Sequence, residues 1–322
     1  DMGRDTSPYN SMSSCALDPI YLSLHTLPDA NQAELAASFH ELTHLPRVAI
    51  QEVKQKKLNW LYTYFLHTFS SIEKTEDYQR FIEGQAWLLP YALFKACKTQ
   101  YGERCWQDWP ESARQYDPSL IHTSQQTVNF YVYLQYLCYK QLKTVRDYAT
   151  SQSVFLKGDL PILLSPDSVD VWENRSLFDL TLVAGAPPDY YNKLGQKWGF
   201  PLPNWEAMRE EQFSWWKQRL KMAAQGFHLY RIDHVVGFFR IWGIPQNLPA
   251  KEGHFIPKNP RLWPAHGEHI LEKILEASPL LPIAEDLGVI PKEVPLILKK
   301  LGICGTKVLR WQRDWEDGER YI

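Results

Sequence analysis

Two short segments carry carboxylates in a setting that chemistry can use. One is Leu229-Tyr230-Arg231-Ile232-Asp233-His234; the other is Leu281-Pro282-Ile283-Ala284-Glu285-Asp286-Leu287-Gly288. Each reads as a buried strand that delivers an acid to its C-terminal tip before the chain breaks at a glycine. A pair of carboxylates so presented is what cleavage of a glycosidic bond needs: one attacks or stabilises, the other donates a proton.

Strand alternation sorts the side chains. Arg231 and Asp233 share one face, and Tyr230 and Ile232 share the other. A guanidinium beside Asp233 favours the ionised carboxylate, which suits a nucleophile. Alone, this pair is better read as a structural ion pair at a strand end. The second segment changes that balance. Glu285 follows the apolar run Pro282-Ile283-Ala284, so partial burial favours its neutral form, which can protonate a leaving oxygen. The competing role, an acid at the start of the following helix, fits Asp286 better than Glu285.

The elements that must hold these residues follow from the pattern. Residues 1–28 are rich in Ser, Pro and Asn and read as loop. Residues 31–150 read as mainly helical, with Pro90 marking a kink or boundary and a long helix over Val128–Tyr148. After Gly158 the character changes. Strands are expected over Leu160–Leu164, Phe227–Asp233, Leu280–Glu285 and Gly305–Trp311. Helices are expected over Trp205–Gly226 and Lys292–Leu301, and Trp263–Ser278 reads as a looser segment that becomes helical. Strands alternating with helices predict a parallel sheet, and acids at successive strand ends favour a (β/α) barrel with its site at the C-terminal face.

Bulk composition narrows the classes. The 322 residues carry a net charge of -2 with no basic block, which gives no support for nucleic-acid binding. No apolar run approaches the roughly 20 residues that span a bilayer. The 5 cysteines form no CxxC pair, and reduced thiols in a cytoplasmic protein are the simplest reading. The 13 Trp, 17 Tyr and 14 Phe serve core packing first, but such rings also suit sugar faces. His254, His266 and His269 fit no zinc spacing and are read as core or solvated histidines.

Arg231-Ile232-Asp233-His234 with Gly237-Phe238 resembles the nucleophile motif of the α-amylase clan, and Ala284-Glu285-Asp286-Leu287-Gly288 the acid/base motif of the 4-α-glucanotransferases, or amylomaltases. Three further stretches are similar to that family in the same order. Ser7-Pro8-Tyr9-Asn10-Ser11 resembles its early substrate loop. Gly158-Asp159-Leu160-Pro161-Ile162 through Asp167 to Trp172 resembles its first clan motif. Gly185 to Tyr190 with Gly195 to Gly199 resembles its long lid-like loop. The run Gly237 to Trp242 resembles the branch of the plant cytosolic disproportionating enzyme.

The resemblance implies a (β/α)8 TIM barrel with helical insertions, which transfers glucan segments from α-1,4-glucan and malto-oligosaccharide donors to glucose or glucan acceptors. It implies no cofactor, no catalytic metal, no nucleic acid and no membrane. It assigns Asp233 as nucleophile, Glu285 as general acid then base, and Arg231 as the residue that orients Asp233 and keeps it charged. Tyr9, Asp167, Asp189 and Trp198 become sugar contacts; His234 either bonds a sugar hydroxyl or is structural. Pro201-Leu202-Pro203-Asn204 lacks a tyrosine often found there in the family. The family's third carboxylate, in a Thr-His-Asp-Asn-like motif, would follow Arg320-Tyr321-Ile322. A barrel truncated at both ends, impaired by itself, is therefore expected. A clan hydrolase and a catalytically incomplete glucan-binding piece are the alternatives.

Overall fold

The computed structural model describes residues 1–190, 192–309, 313, 314, 320 and 321. The chain divides into two compact units, Asp1–Tyr148 with Leu164–Arg175, and Ala149–Leu163 with Ser176–Ile322.

The first unit is helical. It holds α1 (Gln32–Thr43), α2 (Ile50–Ile72), α3 (Glu76–Glu83), α4 (Leu88–Gln100), most of α5 (Gln125–Ser151) and α6 (Val169–Glu173). Its core is aromatic: Phe65, Phe69, Tyr78 and Tyr133 pack with ring centroids 4.7–6.0 Å apart. Phe94, Trp109 and Trp172 form a second cluster at 5.4–5.9 Å. Much of the aromatic excess therefore goes into packing. The helix boundary expected at Pro90 falls at Gly84 instead, where α3 ends. Pro90 lies in the first turn of α4, where a missing N–H costs no intrahelical bond.

The second unit contains two sheets that position the site. One is parallel, in the order β1-β4-β7-β8: β1 (Lys157–Pro161), β4 (Leu229–Asp233), β7 (Leu281–Ala284) and β8 (Cys304–Gly305). Of its helices, α7 (Trp205–Glu210) and α8 (Ser214–Gly226) precede β4, α9 (Trp263–Ala277) joins β4 to β7, and α10 (Glu293–Lys300) joins β7 to β8. This is the strand–helix alternation of a (β/α) barrel wall. One sheet face buries Tyr230, Ile232 and Ala284, at 0%, 2% and 0% exposure. The other carries the half-buried Arg231, Asp233 and Ile283. Arg219 of α8 stacks over the rings of Trp215 and Trp216 and donates Nη2 to the Pro161 carbonyl at 2.7 Å, tying that helix to the tip of β1.

The second sheet is antiparallel and was not expected. Its order is β3-β2-β5-β6, built from β2 (Phe178–Ala186), β3 (Gln196–Pro203), β5 (Ile241–Pro245) and β6 (His254–Ile256). The segment read as a lid-like loop is thus the tip of a hairpin, with Gly185 opposite Lys197 and Ala186 opposite Gln196. A further short pair joins β9 (Arg313–Asp314) to β10 (Arg320–Tyr321).

Other boundaries shift for local reasons. The helix expected over Trp205–Gly226 is broken at Gln212 and Phe213, both left-handed at φ 56° and 57°. The first barrel strand lies over 157–161 rather than 160–164 and ends at Pro161, which cannot donate to a ladder. In the expected strand over Gly305–Trp311, Cys304–Gly305 is paired, while residues 310–312 lie outside the described residues, as does Asp317.

Candidate active site

Parallel pairing aligns β4 with β7 so that Ile232 lies opposite Ala284. One step further along each strand stand Asp233 and Glu285. The ladder continues through them: the Glu285 N–H donates to the Ile232 carbonyl at 2.9 Å, and the Val235 N–H to the Glu285 carbonyl at 3.1 Å. The two acids therefore occupy the same level of neighbouring strands, on the face that also carries Arg231 and Ile283.

Asp233 is the last residue of β4, and its Oδ1 lies 2.6 Å from Arg231 Nη2. The pair is partly buried, with side chains 22% and 25% exposed, so its attraction is less screened than that of a surface pair. After Asp233 the chain turns sharply at His234, left-handed at φ 52°. That conformation is uncommon outside glycine, although His, Asn and Asp adopt it more often than other residues. Here it aims the His234 N–H at Glu285 Oε2, 2.9 Å away. Glu285 Oε1 accepts the Leu287 N–H at 3.1 Å, so both oxygens are oriented by backbone donors.

The His234 ring is held below its usual pKa by burial; the carboxylates of Glu285 and Asp233 pull the other way, and Arg240 pushes down again. Trp198 of β3 meets this ring edge-on, with centroids 5.2 Å apart. Its indole N–H donates to Gln196 Oε1 at 2.9 Å, which fixes its orientation. Trp198, His234, Arg231, Asp233 and Glu285 thus belong to one unit. Asp189, in the same unit, folds onto its own loop, where its Oδ1 accepts the Asn192 N–H at 2.6 Å.

Asp286 does not serve the next helix, which starts at Glu293. Its Oδ1 accepts the Thr306 N–H at 2.7 Å, and Thr306 Oγ1 donates to the Ala284 carbonyl at 2.8 Å, clamping the end of β8 to β7. The clamp is close: a Cβ on Gly305 would meet the Asp286 carboxylate at 2.4 Å. On the far side of the Glu285 turn, Arg240 donates to the Val289 carbonyl at 3.1 Å and stacks over Phe255 and Trp263.

Tyr9 and Asp167 lie in the first unit. Tyr9 is 40% exposed on a short turn that Asp5 brackets through the Ser7 N–H and the Asn10 amide. Asp167 is paired with the fully buried Lys98 and accepts the Trp106 N–H, with a third of its side chain exposed.

Sequence reasoning missed one residue of the second unit's site. Asp159 of β1 lies opposite Arg231, and its Oδ2 is 2.8 Å from Arg231 Nη1. The signal was there only as an acid two residues before Pro161; strand register was needed to pair it. Among the described residues, no group of three or more His, Cys, Asp or Glu is placed to hold a metal ion. No described helix is long and apolar enough to cross a membrane.

Comparison with known proteins supplies the family context. A family model described as 4-alpha-glucanotransferase matches residues 1–322. A 4-alpha-glucanotransferase of Chlamydia pneumoniae is 42% identical over all of this chain and 62% of its own length. The rice 4-alpha-glucanotransferase DPE2 is 34% identical over 76% of this chain and 27% of its own length. Among solved structures, an amylomaltase from Streptococcus agalactiae in complex with acarbose superposes with a TM-score of 0.80 at 25% identity, over 97% of this chain and 65% of that one. The chain spans about 62% of the length of the chlamydial relative.

Proposed function

The chain belongs to the 4-alpha-glucanotransferase family, and from that membership we propose that the whole protein moves α-1,4-glucan segments between malto-oligosaccharides by a retaining double displacement. The observation that carries this reading is the pairing of β4 with β7, which sets Asp233 and Glu285 level on adjacent strands. Neighbouring strands lie about 4.8 Å apart. Retaining enzymes hold their two carboxyl groups about 5–5.5 Å apart, whereas inverting enzymes need roughly 6.5–9.5 Å to admit a water.

In the first step an Asp233 oxygen attacks the anomeric carbon as the glycosidic bond breaks, and the Glu285 proton goes to the leaving oxygen. Donor glucan is left as an ester on Asp233. In the second step Glu285 takes the proton of an acceptor hydroxyl, that oxygen attacks the anomeric carbon, and the ester bond breaks to restore Asp233. Arg231 holds Oδ1 of the nucleophile in place. The His234 ring, with its pKa lowered, is neutral near pH 7 and can exchange a hydrogen bond with a sugar hydroxyl.

Transfer rather than hydrolysis requires that water be kept from the ester. The hairpin of β2 and β3, which carries Trp198 and Asp189, is the proposed screen. Tyr9 and Asp167 are proposed as further sugar contacts. Starch- or glycogen-derived oligomers are the proposed donors, and the cytoplasm, compatible with 5 free cysteines, is the proposed setting.

The test is to incubate the full-length protein with maltotriose. Oligomers longer than the substrate are expected; glucose and maltose alone would mean hydrolysis, and binding without turnover would mean a glucan-binding protein.

A further inference from the structure

Among the described residues, Arg231 meets two carboxylates on two strands. Its Nη2 meets Asp233 Oδ1 at 2.6 Å, and its Nη1 meets Asp159 Oδ2 at 2.8 Å. The pairing is built into the sheet: β1 and β4 run parallel with Asp159 directly opposite Arg231 and Pro161 opposite Asp233. Asp159 is the more open of the two acids, at 48% side-chain exposure against 22%. Resting on the transferase reading above, we propose that Asp159 is a positioning residue for the nucleophile: it anchors one end of the Arg231 guanidinium and serves as its counter-ion while Asp233 is esterified.

Two physical arguments support this role. An arginine side chain has much rotamer entropy to lose, and a planar guanidinium held at one nitrogen has its remaining donors pre-aimed. With Nη1 fixed by Asp159, Nη2 is directed at one oxygen of Asp233. The second argument is charge balance through the cycle. When Asp233 becomes an ester it loses its negative charge, while Asp159 keeps a carboxylate 2.8 Å from Arg231 Nη1. Retaining that carboxylate beside the guanidinium favours the intermediate and the transition states that flank it.

The guanidinium has charged groups of several elements around it. Lys157 and Asp159 come from β1, Arg231 and Asp233 from β4, His234 and Arg240 from the segment after β4, and Glu285 from the end of β7. The Asp159 carboxyl is lifted above its ordinary value by burial; Arg231 opposes that lift, and Asp233 adds to it.

The experiment compares Asp159→Asn and Asp159→Glu with the unaltered full-length protein on maltotriose. For Asp159→Asn, kcat is expected to fall about 10- to 100-fold, the cost typical of a misaimed catalytic group, with KM changed less. Asp159→Glu should recover part of the loss. An Asn variant with unaltered kcat, or a Glu variant that recovers none of the loss, overturns the proposal. A crystal structure of Asp159→Asn gives a readout independent of turnover: Arg231 should leave its contact with Asp233 Oδ1, and an unmoved guanidinium contradicts the role. If the unaltered protein is inert on maltotriose, the transferase reading fails, and the crystal structure still decides whether Asp159 positions Arg231.

Discussion

Glu285 is aimed by two backbone N–H groups, from His234 and Leu287, rather than by other side chains. Glu285→Gln removes the exchangeable proton and keeps one of these two bonds, because its amide nitrogen cannot accept from an N–H. General acid catalysis contributes about 10²–10⁴-fold, so turnover of maltotriose is expected to fall by that order. An α-glucosyl fluoride donor, whose leaving group needs no proton, should lose less than about tenfold in its first step. Equal losses on the two donors would remove Glu285 from the acid role. At this scale the single-strand facts were legible in the sequence. Alternation within Leu229–Asp233 placed Arg231 beside Asp233, and the structure pairs them at 2.6 Å. Asp159 was not legible, because its pairing with Arg231 crosses 72 positions and depends on register between strands.

The segment from His234 to Phe239, which follows the nucleophile, is supported from behind by α9. A Cβ on Gly267 of that helix would meet Phe239 ring carbons at 2.3–2.5 Å, and Phe239 is 1% exposed with no room to yield. Ala in place of helical Gly is ordinarily worth about 1 kcal/mol of stability. Overpacking a filled core costs about 1–3 kcal/mol, and here it is expected to win. Gly267→Ala should lower the thermal midpoint by a few degrees and reduce kcat; a stabilised variant would show that Phe239 can move aside. An element with strong periodicity, such as α5, matched expectation, whereas α9 is helical from Trp263 onward where a looser start was expected. The antiparallel sheet did not, because β3 contains Pro201 and Pro203 and β2 contains Gly185, which read as loop. Prolines are tolerated there because β3 is an edge strand. The break at Gln212–Phe213 has no glycine or proline to announce it.

At the scale of the whole molecule, each unit carries a half-buried titratable group, and the two have opposite pH behaviour. Glu173 is pushed up to about 7 by burial and by the nearby Asp170. Its stabilisation is complete below the unfolded value and is lost as pH rises through the folded one, roughly pH 4.5 to 7. His266 is lowered to about 4 by burial, then by Arg209 and His269. Its contribution is present above about pH 6.5 and is lost as pH falls toward 4. A tenfold change in proton affinity between folded and unfolded chain is worth about 1.4 kcal/mol, so after a discount for partial exposure each effect is on the order of 1–2 kcal/mol. Denaturant melts should show Glu173→Gln gaining stability relative to the unaltered protein mainly above pH 7, and His266→Gln mainly below pH 5. Parallel curves for variant and unaltered protein would contradict the assignment.

The central claim is that Asp233 carries the glucan covalently. The most direct measurement is peptide mass spectrometry of full-length Glu285→Gln protein, quenched while it reacts with an α-glucosyl fluoride donor. A glucosyl adduct on the peptide that contains Asp233, absent when Asp233 is also changed to Asn, is the predicted result. An adduct on another residue, or product formed with no adduct at Asp233, would contradict the account.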